Sequence, residues 1–284
     1  MKPLDNINRI LTTSINTALS LAKVLLLSSK HTSTPRTDAG SKIVILGNGP
    51  SLNTTISESL DFIMSNHRLA VNFAANAPVF STLQPTHYVL ADPHFFKATD
   101  QPNVAKLWLA LSQVDWAMNL FVPTNVSLPT DVAGIITGNP CLRLFRYNLT
   151  PVEGANWLEN WAFKHRLGMP RPRNVLIPSI MIALACGYRT IYIAGADHSW
   201  TRTLSVDDDN NVVSIQPHFY KEDDKEVQRV NTEYMQYPLH QILQSFYVAF
   251  RSYHVIARYA SHLGVKIYNI TPGSFIDAFP RLKV

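Results

Sequence analysis

The stretch of residues 42 to 52 most constrains the fold of this chain, because a short apolar run ends there in Gly-Asn-Gly-Pro-Ser. The run from residue 43 to 46 is largely β-branched and too short for a helix, so it predicts a buried strand of a parallel sheet. Gly47 and Gly49 allow a tight turn at its carboxyl end, the position at which α/β folds bind ligands. The spacing of these glycines fits neither a dinucleotide-binding fingerprint nor a P-loop.

The residues after this turn suit the beginning of a helix. Pro50 and Ser51 are both favoured at a helix N-terminus, where unpaired N–H groups attract an anion. We therefore expect Asn48 and Ser51 to face a bound ligand at this turn.

From residue 42 onward, predicted strands alternate with predicted helices. This order predicts an α/β fold that is Rossmann-like, with a mostly parallel sheet and helices on both faces. We expect residues 41 to 284 to form a single domain of this kind. Strands are predicted at residues 42 to 46, 69 to 72, 87 to 91, 120 to 122, 190 to 194 and 265 to 269, and the clearest helices at 103 to 113, 179 to 187 and 241 to 263.

Composition narrows the class of protein. The chain has 284 residues, 46% of them hydrophobic and 16% charged, which is typical of a globular protein with a sizeable core. Its net charge of +5 agrees with anionic ligands or anionic lipid, and aromatic and basic residues are not interleaved as in nucleic-acid-binding modules. Cys141 and Cys186 lack metal-ligand spacing, so we expect no metal site and a reducing, cytoplasmic location.

Residues 1 to 40 are predicted to form an amphipathic helix, over residues 4 to 26, and a linker. Arg9, Asn16 and Lys23 interrupt every stretch that could serve as the apolar region of a signal peptide, and no run of 18 apolar residues is present, so we expect no membrane-spanning segment. The helix either packs on its own domain or on a second copy in a homo-oligomer, or it lies on a membrane surface. Its apolar stripe consists of Leu4, Ile7, Leu11, Ile15, Ala18, Ala22 and Leu25.

A polar segment at about residues 201 to 230 interrupts the alternation of strands and helices. Residues 207 to 211 and 221 to 226 are strongly polar. A long insertion after a strand end is typical of an active-site lid.

Polar residues follow four of the predicted strands. They are Asn48, Asn72, Asp92 and Asp197. Because the carboxyl ends of parallel strands meet at one edge of a sheet, we expect these side chains to share a binding site.

Five segments resemble, in order and spacing, the bacterial sialyltransferases of glycosyltransferase family 42. The same segments are similar to the domain shared by flagellin glycosyltransferases and 6-hydroxymethylpterin diphosphokinases, so the resemblance does not separate a sugar transferase from a diphosphokinase. It covers about residues 42 to 280. The segments are residues 47 to 52, 72 to 73, 92 to 96, 183 to 197 and 265 to 274.

The resemblance to the sialyltransferases implies a Rossmann-like fold with a lid, a CMP-sugar donor and no metal. Gly47, Asn48 and Gly49 match the turn that contacts the cytidine and phosphate of the donor. Asn72 matches a second donor-contacting asparagine, and Asn174 falls near a Thr-Ser pair that contacts the donor.

The chain departs from the sialyltransferase pattern at several positions. Asp92 stands where those enzymes have an asparagine, and Ser199 takes the place of a phosphate-binding tyrosine. Their general-base histidine has no exact counterpart. We expect His218, in the lid, to act as the base, because it is flanked by aromatic residues and an unperturbed imidazole suits proton abstraction near neutral pH. Tyr220 would then hold the departing phosphate.

These observations predict a bacterial glycosyltransferase that transfers a CMP-activated, sialic-acid-like sugar to a glycan acceptor in lipopolysaccharide or capsule synthesis, without a cofactor. An alternative is a diphosphokinase in which Asp92 and Asp197, at neighbouring strand ends, hold Mg²⁺ against a pyrophosphate. A second alternative is a non-catalytic nucleotide-binding protein. Nucleic acid is not expected as a partner, whereas a membrane surface is, through residues 4 to 26.

Overall fold

The computed structural model describes residues 3 to 38, 40 to 213 and 236 to 284. Strands and helices alternate along the chain as its sequence predicts. The strands are β1 (Lys42–Leu46), β2 (His67–Val71), β3 (His87–Val89), β4 (Met118–Pro123), β5 (Leu142–Tyr147), β6 (Thr190–Ala194), β7 (Ser205–Val206), β8 (Val212–Val213) and β9 (Lys266–Asn269). The helices are α1 (Pro3–Leu27), α2 (Ser51–Met64), α3 (Phe80–Leu83), α4 (His94–Lys97), α5 (Pro102–Ser112), α6 (Thr130–Gly138), α7 (Asn156–Lys164), α8 (Leu176–Cys186) and α9 (Leu239–His262).

Seven of the strands form one parallel sheet in the order β5-β4-β3-β2-β1-β6-β9. The sheet separates two apolar cores. One contains Val24 of α1 together with residues of α7, α8 and α9, and the other contains residues of α2, α3, α5 and α6. The predicted Rossmann-like architecture, with helices on both faces of the sheet, is therefore confirmed.

The order of the strands reverses at β1. Strand β1 pairs with β2 on one side and with β6 on the other, both in parallel. The chain reaches β6 only after it has built the sheet outward from β1 to β5. The gap between the carboxyl ends of β1 and β6 is therefore a topological switch point, where open α/β sheets bind ligands.

Strand β5 was not predicted from the sequence. Arg143 and Arg146 interrupt its apolar residues, so it lacks the continuous apolar run of a central strand. It lies at an edge of the sheet, where one side of a strand faces solvent and charged residues are common.

The predicted lid lies only partly within the described residues. Its first part contains a two-stranded antiparallel hairpin of β7 and β8. Asp207 stabilises the turn between them, because its Oδ1 accepts the backbone N–H groups of Asp209 and Asn211 at 3.1 and 2.7 Å. The remainder, from residue 214 to 230, lies outside the described residues.

Helix α1 packs on the domain through its polar side. Thr17 Oγ1 accepts the N–H of Ala155 at 2.9 Å, and Ser20 Oγ both accepts the N–H and donates to the carbonyl of Glu153. The predicted apolar stripe faces away from the domain, since Ile7, Leu11, Ile15 and Leu25 are each more than half exposed.

The expectation that no segment spans a membrane stays a prediction, although one helix of the described residues qualifies as a candidate span. By length and composition, residues Asn6 to Leu27 form a helix apolar enough to cross a membrane. Threonine, serine and asparagine interrupt the apolar run without making the segment polar on average. Length and composition do not distinguish a spanning helix from one that lies at a membrane surface.

Candidate functional site

A cavity of about 330 Å³ opens at the switch point between β1 and β6. Its walls come from the residues that follow β1, β2 and β6 and from those that precede α8. The lining residues are Asn48, Gly49, Pro50, Asn72, Asn174, Val175, Leu176, Gly195, Asp197, His198, Ser199, Trp200, Arg202 and Thr203.

Two glycine turns in direct contact form the floor of this cavity. The N–H groups of Gly47 and Gly49 donate to the carbonyls of Ala194 and Gly195, each at 2.8 Å. A Cβ at Gly47 would lie 2.5 Å from the Gly195 oxygen, and one at Gly49 would lie 1.9 Å from Asp197 Oδ2. These positions therefore require glycine because the two strand ends touch, whatever ligand binds above them.

Three asparagines present amide atoms that are buried and lack a hydrogen-bond partner among the described residues. They are the Oδ1 atoms of Asn48 and Asn72 and the Nδ2 atom of Asn174. Buried polar atoms are almost always paired, because an unpaired one loses its hydration without compensation. Three such atoms around one cavity indicate a ligand that supplies both donors and acceptors.

The amide orientation of Asn174 is fixed by its surroundings. Asn174 Oδ1 accepts the backbone N–H groups of Leu176 and Ile177 at 3.0 and 3.4 Å, which caps the first turn of α8. It also accepts the hydroxyl of Tyr253 at 2.9 Å. Because backbone N–H groups require an oxygen at that position, the amide nitrogen must be the atom left without a partner.

His198 extends this network. Its Nε2 lies 2.6 Å from the Tyr253 hydroxyl, whose proton is already directed at Asn174. Nε2 must therefore carry the donated proton, which makes Nδ1 an acceptor. Burial lowers the pKa of His198 to about 3, so the ring is neutral near pH 7 and too weakly basic to abstract a proton efficiently.

The charges around the cavity favour an anion at one end. Helices α2 and α8 both begin beside it, so the positive ends of their dipoles point into it. The Arg202 guanidinium lies on the wall, 4.8 Å above the Phe275 ring. Asp197 is the acidic residue on the wall, and it accepts a hydrogen bond from Ser51 Oγ at 2.7 Å.

The structure brings together most of the residues predicted from the sequence. Asn48, Gly49, Asn72, Asn174, Asp197 and Ser199 line the cavity. Ser51 does not line the cavity but donates a hydrogen bond to Asp197, which does. Gly47 lies beneath the cavity, in contact with Gly195. His218 and Tyr220 lie outside the described residues.

Asp92 is separate from this group. Its Oδ1 accepts the N–H of His94 at 2.8 Å, so it stabilises the beginning of α4. Strands β2 and β1 lie between β3, which precedes Asp92, and β6, which precedes Asp197. Three strand spacings amount to about 14 Å, so these two carboxylates are not at neighbouring strand ends as expected.

Among the wall residues that were not identified from the sequence, two carry chemistry relevant to a ligand, His198 and Arg202. His198 sits between Asp197 and Ser199, and its left-handed backbone conformation, with φ of 51°, is not apparent from the sequence. Arg202 belongs to the segment predicted as a lid. The sequence could have indicated these two residues only through their position, because both closely follow β6, a strand that ends at the switch point.

Comparison with known proteins supports the fold. No family model and no curated protein sequence matches this chain. Among solved structures, a MAf glycosyltransferase from Magnetospirillum magneticum AMB-1 is similar, with a TM-score of 0.50 and 12% sequence identity. The match covers 95% of this chain and 38% of that one, so the chain corresponds to well under half of the longer enzyme.

Proposed function

We propose that this chain is a glycosyltransferase that uses a nucleotide-activated sugar. The observation that carries the proposal is the set of three unpaired asparagine amides around a cavity at the switch point. A nucleotide base and its phosphate offer the matching donors and acceptors. The fold likeness to a glycosyltransferase, given above, supports the same reaction class.

The donor is proposed to be a CMP-linked, sialic-acid-like sugar. Asn48 and Asn72 would accept hydrogen bonds from the nucleotide, and Asn174 Nδ2 would donate one. Arg202 and the N-termini of α2 and α8 would hold the phosphate, since each presents positive charge to the cavity. This donor requires no metal, and the resemblance to family 42 sialyltransferases is its support.

The proposed reaction is an in-line displacement at the anomeric carbon. An acceptor hydroxyl attacks that carbon, the bond from the carbon to the phosphate oxygen breaks, and CMP departs with the bonding electrons. His218 would take the hydroxyl proton, and Tyr220 would hydrogen-bond the departing phosphate. The low pKa of His198 supports giving the role of base to another histidine.

The acceptor is proposed to be a surface glycan of a bacterium, in lipopolysaccharide or capsule. We further propose a cytoplasmic enzyme that lies against the inner face of the plasma membrane. The exposed apolar stripe of α1 is consistent with this location.

An Mg²⁺-dependent diphosphokinase is the second candidate, favoured by the presence of Asp197 on the cavity wall. Substitutions separate the two. For the glycosyltransferase we expect His218→Ala to lower turnover by about 100-fold with nearly unchanged nucleotide affinity. Asp197→Asn keeps an oxygen for the Ser51 hydrogen bond and should retain activity in a metal-free site. If His218→Ala keeps full activity and Asp197→Asn abolishes it, the Asp197 carboxylate carries the reaction and the glycosyltransferase proposal is wrong.

A further inference from the structure

The N-terminal helix α1 presents its apolar residues to the outside of the molecule. Leu11 and Ile15 are 54% and 59% exposed, and Leu25 and Leu26 are 79% and 81% exposed. On the opposite side of the helix, Ser20 and Val24 are buried against the domain. A surface helix usually turns its apolar side inward. Here the apolar side is exposed along most of the length of α1 and is not covered by another element among the described residues.

We propose that this face lies in the interfacial layer of an anionic lipid bilayer. Binding of this face to anionic lipid does not depend on the proposed reaction; only the identity of the membrane rests on the proposed function. Arg9 and Lys23 are the charged residues of α1 after Asp5, both lie outside the stripe, and no acidic residue occurs between Asn6 and Lys30. A basic helix with one apolar face is the pattern that binds anionic membrane surfaces.

The hydrogen bonds between α1 and the domain determine how the helix meets the bilayer. Thr17, Ser20 and Ser28 are bonded to Ala155, Glu153 and Thr150, respectively. A helix that spanned the membrane would have to break these bonds and carry its hydroxyl groups into hydrocarbon. The helix therefore lies parallel to the membrane plane, with the domain on its cytoplasmic side.

Helix α7, which packs against α1, adds a second contact with lipid. Trp157 and Trp161 are one helical turn apart on α7, and they are 63% and 42% exposed. Exposed tryptophan is unfavourable in water but preferred at the level of lipid headgroups, where the ring is buried and its N–H stays hydrated. The proposal includes this pair in the lipid-facing surface, because α7 packs against α1 and both rings are exposed.

A positively charged cavity of about 490 Å³ lies between α1 and α9. Four arginines line it, with Glu153 and Glu159 as the acidic residues, so the wall carries a net charge of +2 without histidine. The arginines are Arg9, Arg171, Arg251 and Arg258. Arg171 and Arg251 pair with Glu153, and Arg258 pairs with Glu159, which leaves Arg9 without an acidic partner among the described residues. The cavity lies on the polar side of α1, away from the stripe, so this charge adds only a longer-range attraction for anionic over zwitterionic lipid.

A second copy of the chain fits the face less well. Two α1 helices paired in antiparallel fashion about the centre of the stripe would bring Arg9 of one copy to the level of Lys23 of the other along the helix axis. Two parallel helices would bring identical charges to the same level. Like charges on two adjacent helices oppose association, whereas anionic lipid complements them.

Vesicle flotation of the full chain tests the proposal without any need for turnover, so it is independent of the proposed reaction. We expect binding to phosphatidylcholine vesicles that contain phosphatidylglycerol, weaker binding to phosphatidylcholine alone, and release by alkaline carbonate. The double variant Leu11→Ser and Ile15→Ser should lower binding by about tenfold or more. The matched control is Leu109→Ser, which changes a 57% exposed leucine on α5, across the sheet from α1, and should bind as the original chain does.

A second variant pair keeps the test valid if the serine variant is unstable. Trp157→Ala combined with Trp161→Ala should lower binding by a few fold while the thermal unfolding curve stays nearly unchanged, because both side chains are exposed. Absence of vesicle binding by the original chain, or equal binding by both α1 and α7 variants, would overturn the proposal. So would resistance to carbonate, which indicates a span, or a dimer that depends on α1, which light scattering would detect.

Discussion

His198 Nε2 and the hydroxyl of Tyr253 lie 2.6 Å apart in the buried core beneath the candidate site, although 55 positions separate the two residues in the chain. The hydroxyl donates onward to Asn174, so the three side chains form one directed chain of hydrogen bonds. Because of these hydrogen bonds, the side chains of His198 and Asn174 both have a fixed orientation before any ligand binds. A cavity whose polar atoms are already oriented binds its ligand with less loss of conformational entropy.

Asn174→Asp tests the role of the asparagine amide nitrogen. An aspartate retains the oxygen that caps α8 and replaces only the donor that faces the cavity, so we expect stability to change by less than about 1 kcal/mol. Affinity for CMP should fall by about tenfold or more, because a donor is lost and a negative charge is placed near the phosphate. Calorimetric titration and urea unfolding measure the two effects. Equal affinities would remove Asn174 from the binding site.

Asn48→Ala tests the amide that follows β1. Its Oδ1 has no partner and its Nδ2 makes one long bond, to the Val71 carbonyl at 3.3 Å, so the fold loses little. We expect a several-fold loss of nucleotide affinity in a folded protein. The matched control is Asn76→Ala, because Asn76 Oδ1 is also buried without a partner but does not line the cavity. If both variants bind equally, Asn48 does not contact the ligand.

Gly49→Ala tests the contact between the two glycine turns. The added Cβ would overlap Asp197 Oδ2, so the carboxylate must move and its hydrogen bond with Ser51 is lost. We expect a loss of about 1 to 3 kcal/mol in the free energy of unfolding. Gly134→Ala in α6 is the control, since nothing lies within 4 Å of its Cβ and alanine favours a helix. Similar melting temperatures for the two variants would contradict this packing.

Two buried histidines predict that the protein loses stability in mild acid. Burial lowers the pKa of both His87 and His198 to about 3, whereas an unfolded histidine titrates near 6.5. The unfolded chain therefore binds protons first, and stability is lost as the pH falls from about 6.5 toward about 3. At pH 5 each histidine reduces the free energy of unfolding by about 2 kcal/mol relative to pH 8.

The variant His87→Phe isolates one of these contributions. His87 stacks on Phe121 with an interplanar angle of 10°, so a phenyl ring can replace the imidazole with similar packing. Urea unfolding at pH 8 and pH 5 should show a difference in the free energy of unfolding that is smaller by about 2 kcal/mol in this variant. An unchanged dependence would mean that His87 is protonated in the folded state or that other groups dominate.

Much of the fold was predictable because its signals are local. The apolar run before Gly47 and the one before Gly195 predict two strands whose bounds match β1 and β6 in the structure. Strand β5 escaped prediction because its arginines belong to an edge position, and the position of a strand within a sheet is a tertiary property. The outward orientation of α1 was equally hidden, since the sequence shows that a helix is amphipathic but not which side the domain contacts.

The candidate site was predictable only in part, for a related reason. Asn48, Asn72 and Asp197 follow strands directly, so the rule that parallel strands end at one edge places them together. The same rule wrongly grouped Asp92 with Asp197, because it does not give the order of the strands. His198 was missed because its partner, Tyr253, lies on α9, and no local pattern connects the two.

Calorimetric titration of the full chain with CMP and with ATP tests the central claim most directly. If the cavity between β1 and β6 is the donor site of a metal-independent glycosyltransferase, CMP should bind in the presence of EDTA, and Asn174→Asp should weaken that binding. ATP should bind weakly, and Mg²⁺ should not improve its binding. Binding of ATP only with Mg²⁺, together with no detectable binding of CMP, would contradict the account.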